Sequence, residues 1–532
     1  MSTSRPADSQ QHITLDGHRL TLDDVRATAT GTDRRTIALS EEARTRMAAS
    51  VRAKEELIAS GAALYGVTTG FGDSSDRQIS AAKTEALQRN LLRFLRVGVG
   101  PYAAADVVRA TMLIRANCSA RGNSAIREEP VALLLDLLRT DLLPRIPERG
   151  SVGASGDLAP LSYLAAALTG EGTLLHKDRE LPAAEALRMH GLKPVRLQAK
   201  EALALVNGTS FMAAYAALAH AEARELARAA ELCTALTAEL RCGPAEQFAP
   251  FPHDHKPHPG QANSAARIHG LLTGSRLTAP PVSADTSHSG YVELDRHIQD
   301  PYSIRCAPHV IGVLHDTLEW TGRWLTIEIN SSNDNPLFDA DTTTVHNSGN
   351  FYGGHVAHAA QALTSAVASV ADLLDRQLQL LVDDRYSHGL PANLAPLGGP
   401  DEAGLHHGFK GAQIAASALT AEALHLSMPA GSFSRSTESH NQDKVSMGTI
   451  AARHAHTATR LATHVAGIHL LALAQAADLR GPDLLAPATR AAHTTLRRHC
   501  AVLDSDRPLD EDISRIAALI HTGTLHTQAE DC

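Results

Sequence analysis

Long segments rich in Ala and Leu are the feature that most limits how this chain can fold. They occupy about residues 210–241, 355–382, 405–425 and 447–478. Ala and Leu favour helices over strands, and aromatic residues make up only 4% of the chain. Helices of this length need other helices to cover their apolar faces. The sequence therefore predicts a mainly α protein that contains a long antiparallel helical bundle.

Length and charge narrow the possible functions. A chain of 532 residues is too long for one core and predicts two or three domains. The net charge is -9 with both signs scattered, and the absence of a basic stripe argues against a nucleic-acid partner. No apolar run reaches membrane-spanning length, and the N-terminus lacks the apolar core of a secretion signal. We expect a cytoplasmic protein that does not bind membranes.

The cysteines and histidines do not predict a metal site. The six cysteines are dispersed and include no CxxC pair, which indicates neither a zinc site nor a disulfide framework. His253, His255 and His258 have a suggestive spacing, but Pro257 and Pro259 would break any helix holding them in ligand geometry. We therefore expect no bound metal.

A glycine-rich stretch from Gly150 to Ser162 reads Gly-Ser-Val-Gly-Ala-Ser-Gly-Asp-Leu-Ala-Pro-Leu-Ser. In a tight turn the amide nitrogen of Gly156 can attack the carbonyl carbon of Ala154, because glycine has no Cβ. Loss of water closes a five-membered ring, and loss of a second water from Ser155 leaves a methylidene. The product is an electrophile, which no natural side chain supplies well. Taken alone, the tripeptide is more typical of an ordinary helix N-cap.

The whole stretch resembles the signature of the aromatic amino-acid ammonia-lyase and aminomutase family, through ordered motifs over roughly residues 20–520. The resemblance implies a 4-methylideneimidazole-5-one group (MIO) formed from Ala154, Ser155 and Gly156, with no external cofactor. It also implies a homotetramer whose sites draw residues from several subunits. The implied fold is fumarase/aspartase-like. Residues 1–15 would be disordered, residues 16–220 would form an MIO-bearing domain, and residues 221–532 would form the bundle with a C-terminal helical segment.

A second motif is the loop Tyr65-Gly66-Val67-Thr68-Thr69-Gly70-Phe71-Gly72. Its three glycines exclude a stable helix and predict a mobile loop, so its tyrosine could close over a site as a lid. The family has a similar loop carrying its catalytic tyrosine, which implies that Tyr65 removes the substrate's β-proton. Since an ordinary tyrosine pKa is about 10, we expect hydrogen bonding or positive charge to lower the pKa of Tyr65.

Further motifs match the family in order along the chain. The resemblance places Asn207 against the MIO or the substrate carboxylate, Arg305 on the carboxylate, and Glu438 on the amine. Without it, a surface ion pair is the commoner role of Arg305 and a solvated position that of Glu438. The candidate catalytic residues are Tyr65, Ala154, Ser155, Gly156 and Tyr302. The candidate substrate-binding residues are Phe94, Leu95, Leu203, Asn207, Gln299, Arg305, Phe351, Lys410, Ile414, Glu438 and Gln442.

The proposed substrate follows from the ring pocket. Phe94-Leu95 resembles the phenylalanine-specific members, whereas histidine- and tyrosine-specific members tend to carry a histidine there. Lys410 and Gln442 also stand where phenylalanine-type members have Lys and Gln. We expect elimination of ammonia from phenylalanine to give cinnamate, with a 2,3-aminomutase or a tyrosine or histidine ammonia-lyase as alternatives. A non-catalytic paralogue is disfavoured by the intact tripeptide, Tyr65 and Arg305.

Overall fold

The computed structural model describes residues 12–525, apart from 33–34, 281, 283–286, 288, 295–296, 397–401 and 403. The chain forms two compact units. The first comprises the described parts of Met1–Ala221, Thr321–Gln361 and Pro429–Ala455, and the second those of Glu222–Trp320, Ala362–Met428 and His456–Cys532. The expectation that residues 221–532 form one continuous second domain is wrong, because two of its segments pack with the first unit. One of them is tied back by a bond from Met447 N to Val152 O.

The first unit begins with a strand where disorder was expected. Strand β1 (His12–Leu15) pairs in parallel with β2 (Thr36–Leu39). Residues 12–15 are ordered because Ile13 and Leu15 are buried on one face of this pair. Residues 1–11 lie outside the described residues. The helices that follow in this unit are α1 (Leu22–Ala29), α2 (Glu41–Ala59), α3 (Thr84–Leu95), α4 (Ala105–Ala120), α5 (Glu128–Arg139), α6 (Leu158–Leu168), α7 (Ala183–Met189) and α8 (Glu201–Val206).

Small antiparallel sheets connect these helices. The strands are β3 (Val99–Tyr102), β4 (Leu143–Pro144), β5 (Pro147–Arg149), β6 (Thr173–His176), β7 (Arg179–Pro182), β8 (Leu337–Asp339) and β9 (Thr344–His346). Strand β3 pairs with β5, β6 lies between β4 and β7, and β8 pairs with β9. Strands β6 and β7 form an antiparallel hairpin over residues 173–182.

The predicted long helices are present. The remaining helices are α9 (Ser210–Leu240), α10 (Pro250–Asp254), α11 (Pro259–Leu271), α12 (Tyr302–Arg305), α13 (Ala307–Ile329), α14 (Gly354–Val382), α15 (Lys410–His425), α16 (Gly448–Arg480), α17 (Pro487–His499) and α18 (Asp510–Thr522). Helices α9, α14 and α16 match the predicted segments closely, whereas α15 begins at Lys410 rather than at residue 405. Among the described residues, no helix combines the length and hydropathy needed to cross a membrane.

The second unit is held together by close helix contacts between small side chains. Ala368, Ala423 and Ala458, from α14, α15 and α16, form one buried cluster. Alanine at such contacts lets helices approach closely without voids. Hydrogen bonds between polar side chains also join these helices. The side chain of Gln377, in α14, donates to Thr234 Oγ1, in α9, at 2.9 Å inside the core. The Ala-rich composition thus becomes a tightly packed set of long helices.

In the first unit, packing brings together three helix ends. Helices α3, α6 and α8 contact one another. Helix α3 ends at Leu95, α6 begins at Leu158 just after the glycine-rich stretch, and α8 ends at Val206. The segments that carry the predicted ring pocket, the tripeptide and Asn207 therefore converge.

Candidate active site

The Ala154-Ser155-Gly156 turn is tight and fits only glycine at its third position. Gly156 has φ +69°, and a Cβ added there would lie 2.1 Å from the carbonyl oxygen of Gly208. The next residue, Asp157, donates its main-chain N–H to that same oxygen at 2.7 Å. An L side chain cannot approach another backbone this closely. The backbone at Gly156 therefore has no room for a side chain.

Asn207 holds the carbonyl group of Ser155. Its side-chain Nδ2 donates to Ser155 O at 2.9 Å, and its Oδ1 accepts from the main-chain N of Asn335 at 2.8 Å. The two bonds fix the amide orientation, since only nitrogen can donate and only oxygen can accept. Buried Asn207 thus presents a fixed donor to the central residue of the tripeptide.

Asp157 anchors the turn that carries the tripeptide. Its buried carboxyl accepts from Met212 N at 2.8 Å, in the first turn of α9, and from Thr449 Oγ1 at 2.6 Å. Burial raises the pKa of Asp157 to about 7, and the hydrogen bonds from Thr449 and the backbone act in the opposite direction. This carboxyl therefore ties the tripeptide to the start of two helices, α9 and α16.

The segment before α16 folds over the tripeptide. Gln442 Nε2 donates to Ser155 Oγ at 3.3 Å, and Ser446 Oγ donates to Gly153 O at 2.9 Å. Glu438, Ser439 and His440 have φ values of 51°, 52° and 67°, so three successive non-glycine residues adopt the left-handed conformation. Such strain persists only where surrounding contacts over-determine the backbone.

The glycine loop brings Tyr65 and Glu438 to the same place. The main-chain N–H of Gly72 donates to Tyr65 Oη at 2.8 Å. Gly72 has φ +58°, and a Cβ there would lie 1.4 Å from Glu438 Oε1, so the carboxylate rests against the loop. Burial raises the pKa of Tyr65, the Gly72 N–H lowers it, and the Glu438 charge raises it. The expectation of a lowered pKa is wrong for the described unit, because desolvation and a negative neighbour outweigh one hydrogen bond.

These groups surround a cavity of about 720 Å³ in the first unit. Phe94 is 59% exposed and faces this cavity, although helical spacing alone would place it in the core. The predicted residues that line the cavity are Tyr65, Phe94, Leu95, Ala154, Ser155, Leu203, Asn207, Phe351, Glu438 and Gln442. The volume suits an amino-acid side chain of aromatic size together with its polar head.

The lining also contains polar residues that the sequence analysis missed. They are Asn335, Asn347, Ser348, Tyr352, Asp443 and Lys444. Ser348 N donates to Asn335 Oδ1 at 2.7 Å, which extends the Asn207 hydrogen bonds along one wall. Tyr352 follows Phe351, and Asp443 and Lys444 follow Gln442, so position next to a candidate residue was the available signal for these three. The cavity therefore offers more hydrogen-bonding groups than Phe94 and Leu95 suggest.

Five predicted residues belong to the second unit and do not line this cavity: Gln299, Tyr302, Arg305, Lys410 and Ile414. Arg305 Nε donates to Asp300 O at 3.1 Å, and its guanidinium lies 4.5 Å from the Tyr302 ring centroid. Gln299 and Arg305 line a different cavity of about 650 Å³. Lys410 begins α15, where Ile414 is exposed. Their part in a substrate site stays a prediction.

Among the residues that the structure describes, no group of three or more His, Cys, Asp or Glu side chains is arranged to hold a metal ion. His253 is bonded instead to the side chain of Gln261 at 3.1 Å and the carbonyl of Gln247 at 3.3 Å.

Comparison with known proteins gives full-length matches. A family model described as aromatic amino acid lyase matches residues 20–498. The chain is 40% identical to histidine ammonia-lyase of Symbiobacterium thermophilum, covering 97% of both chains. It is 41% identical to tyrosine ammonia-lyase of Cereibacter sphaeroides, covering 97% of this chain and 98% of the relative. The structure resembles tyrosine aminomutase from Streptomyces globisporus with a TM-score of 0.91 and 36% identity, covering 98% of both chains.

The names of these relatives bear on the substrate. They refer to histidine and to tyrosine, so the comparisons do not favour phenylalanine over either. The similarity in fold extends over both lyases and aminomutases. Choice of substrate and of product therefore has to be argued from the residues of the cavity.

Proposed function

This chain belongs to the aromatic amino acid lyase family, and we propose that it removes ammonia from an aromatic L-α-amino acid to give the trans-arylacrylate. The family relatives are ammonia-lyases, which are carbon–nitrogen lyases. The observation that carries the proposal is one cavity that holds the cyclisable turn, the Asn207 donor, Tyr65 and Glu438. These supply an electrophile precursor, a base and a site for an ammonium group.

Enzymes of this family use the MIO group, and the residues here fit its formation. The turn at Gly156 is already too close to Gly208 for any side chain, and Asn207 already donates to the carbonyl that would remain in the ring. MIO would supply an electrophilic carbon that helps the substrate nitrogen depart. Asn207 holds the carbonyl side of the group, and Gln442 lies at the Ser155 hydroxyl, which is the group lost.

Tyr65 removes the β-proton in this proposal. A phenolate is needed, and the Gly72 N–H bonded to Tyr65 Oη favours it. Glu438 opposes it through its negative charge. The substrate's ammonium group, placed against Glu438, offsets that charge, so a bound substrate lowers the pKa of its own base. Substrate binding therefore offsets the part of the Tyr65 pKa increase that the Glu438 charge causes.

Arg305 grips the substrate carboxylate, with Gln299 and Asn207 assisting and Tyr302 beside it. A guanidinium can make two parallel bonds to a carboxylate, which lysine cannot. We assign these second-unit residues to a site shared between the subunits of a homotetramer. Light scattering coupled to size exclusion measures the oligomer, and a monomer with full activity would contradict the assignment.

Phenylalanine is the proposed preferred substrate. Phe94, Leu95 and Leu203 form an apolar wall that gives a ring hydroxyl no partner, and Ile414 and Phe351 would add to it. An apolar pocket discriminates weakly against an added hydroxyl, so we expect a preference and not an exclusion. Lys410 and Gln442 support the same assignment by their resemblance to phenylalanine-type members.

A 2,3-aminomutase is the second candidate, favoured by the TM-score of 0.91 to a tyrosine aminomutase. It would use the same residues, retain the arylacrylate and return ammonia to the β-carbon. The difference depends on how long the closed cavity holds the product. Product analysis separates the two functions directly.

The test is incubation of the purified protein with phenylalanine, tyrosine and histidine in turn, followed by chromatography for the arylacrylate and the β-amino acid. Mass spectrometry of the peptide containing residues 150–162 should find it lighter by two waters. Ser155→Ala should fold and assemble but lose activity by orders of magnitude. An active protein whose native tripeptide has its full mass would refute the MIO proposal. No product from any of the three amino acids would refute the proposed reaction.

A further inference from the structure

A fully buried guanidinium is bonded to the main chain of Asn207, whose side chain holds the tripeptide. Arg115, in α4, is 0% exposed. Its Nη1 donates to the main-chain oxygen of Asn207 at 2.9 Å, and its Nη2 donates to Asn333 Oδ1 at 3.2 Å. Its Nε has no hydrogen-bond partner. Within the described part of the chain, no carboxylate lies within ion-pair distance of Arg115.

A buried charge without a direct ion pair costs several kcal/mol, so its presence calls for an explanation. The buried acids of this region have other partners. Asp334 pairs with Lys200 at 2.6 Å, Glu328 is bonded to Thr209, and Asp157 is bonded to Thr449. Burial raises the pKa of each of these three carboxyls, and the charges of Lys200 and Arg115 act in the opposite direction on Asp334. Within the described residues, Arg115 therefore interacts with the charge of Asp334 from beyond ion-pair distance, while Lys200 holds that carboxylate directly.

Two successive hydrogen bonds connect the Arg115 guanidinium to the candidate electrophile through Asn207. Arg115 holds the main chain of Asn207, and the side chain of Asn207 donates to Ser155 O. The oxygen of the next residue, Gly208, accepts the N–H of Asp157. The main-chain oxygens of Asn207 and Gly208 are thus held by the guanidinium and by the residue that follows the tripeptide, respectively.

We propose that Arg115 is a positioning residue that holds Asn207 and places a positive charge behind the Ser155 carbonyl oxygen, so that the MIO reacts more readily with nucleophiles. This inference rests on the proposed function. When a nucleophile's electron pair bonds to the methylidene carbon, the displaced π pair moves toward that oxygen. A fixed charge and a fixed donor stabilise such developing negative charge, and they act strongly where water is excluded.

Thiol addition tests this without any substrate. Wild type, Arg115→Met and Arg115→Lys are incubated with 2-mercaptoethanol, and the peptide containing residues 150–162 is followed by mass. The adduct gains the full mass of the thiol, because the sulfur bonds to carbon and the thiol proton stays on the product. Arg46→Met is the matched control, since Arg46 also holds main-chain oxygens in the first unit, but those of Asp16 and Ala120 and not that of Asn207.

We expect Arg115→Met to lose both waters and to form the adduct about tenfold more slowly. Loss of one direct oxyanion donor typically costs about 10²–10³-fold, and Arg115 acts through Asn207. Arg115→Lys should recover most of the rate, and Arg46→Met should match wild type. A dehydrated Arg115→Met that reacts at the wild-type rate overturns the inference alone.

If Arg115→Met folds but is not dehydrated, Arg115→Lys decides. A dehydrated and reactive lysine variant supports a role for the charge, whereas a folded but undehydrated one overturns it in favour of geometry alone. A wild-type peptide of full mass overturns the proposed function, and the inference with it.

Discussion

The substitution Gly156→Ala tests the close approach on which the electrophile depends. An added Cβ would lie 2.1 Å from Gly208 O and 2.3 Å from Gly208 C. Both atoms belong to the backbone, so no side-chain rotation relieves the overlap. The residue pair must separate by about 1.3 Å or more to reach ordinary contact, which begins at 3.4 Å.

The magnitude follows from three contributions. A non-glycine residue at φ +69° costs about 1–2 kcal/mol. Separating the two backbone segments breaks the 2.7 Å bond from Asp157 N to Gly208 O, which costs about 1 kcal/mol. Displacing a packed core costs a further 1–3 kcal/mol, roughly. The total is about 3–6 kcal/mol, which the protein survives only if its stability lies in the usual range of about 5–15 kcal/mol.

Gly191→Ala is the matched control. Gly191 has φ +70°, and a Cβ there would meet nothing within 4 Å. This variant therefore carries the backbone cost of Gly156→Ala without the overlap. The difference between the two isolates the contribution of the close approach.

The assay combines urea unfolding, peptide mass and the initial rate of arylacrylate formation. We expect Gly191→Ala to lose about 1–2 kcal/mol and to keep the loss of two waters and full activity. Gly156→Ala should lose more stability, retain an unmodified tripeptide mass and be inactive. If Gly156→Ala loses both waters and matches Gly191→Ala in rate, the link between the tight turn and cyclisation is wrong.

Three further predictions follow from the same cavity. Tyr65→Phe should bind substrate normally yet lose about 10²–10⁴-fold in kcat, the usual contribution of a general base; unchanged kcat would remove Tyr65 from the mechanism. Phe94→His should raise the ratio of kcat/KM for tyrosine over phenylalanine relative to wild type, and an unchanged ratio would refute the specificity argument. Because the pKa of Asp157 is raised to about 7, its stabilising contribution is complete below about pH 4 and is lost as the pH rises through 7. Asp157→Asn should therefore gain thermal stability relative to wild type as the pH is raised from 5 to 8, and parallel melting curves would contradict this.

The sequence predicted the helices and the local motifs better than their spatial grouping. Segments 355–382 and 447–478 are helical in the structure because Ala and Leu specify helix without help from distant residues. The return of residues 429–455 to the first unit depends instead on single contacts such as Ser446 with Gly153, which no local pattern encodes. The position of Phe94 is similar: helical spacing places it on an apolar face, and only the convergence of α3, α6 and α8 makes that face a cavity wall.

The environment of Tyr65 was also beyond the sequence. Its pKa depends on the depth of burial and on Glu438, which is more than 370 residues away along the chain. The Arg115 guanidinium was missed for a related reason. A single arginine inside a helical segment is typical of a solvated face, and its burial becomes visible only once Asn207 and Asn333 are placed around it.

The bond from Gly72 N to Tyr65 Oη joins two residues of one loop, and this has a consequence for the timing of the reaction. If Tyr65 is the base, the donor that favours its phenolate is present only when the loop adopts this shape. Loop closure and activation of the base then become a single event, and an enzyme with an open loop cannot remove the β-proton. Under this arrangement Tyr65 does not remove protons from molecules that fail to close the loop. It also makes turnover depend on how well a given substrate holds the loop shut, so two rings of equal reactivity can differ in rate.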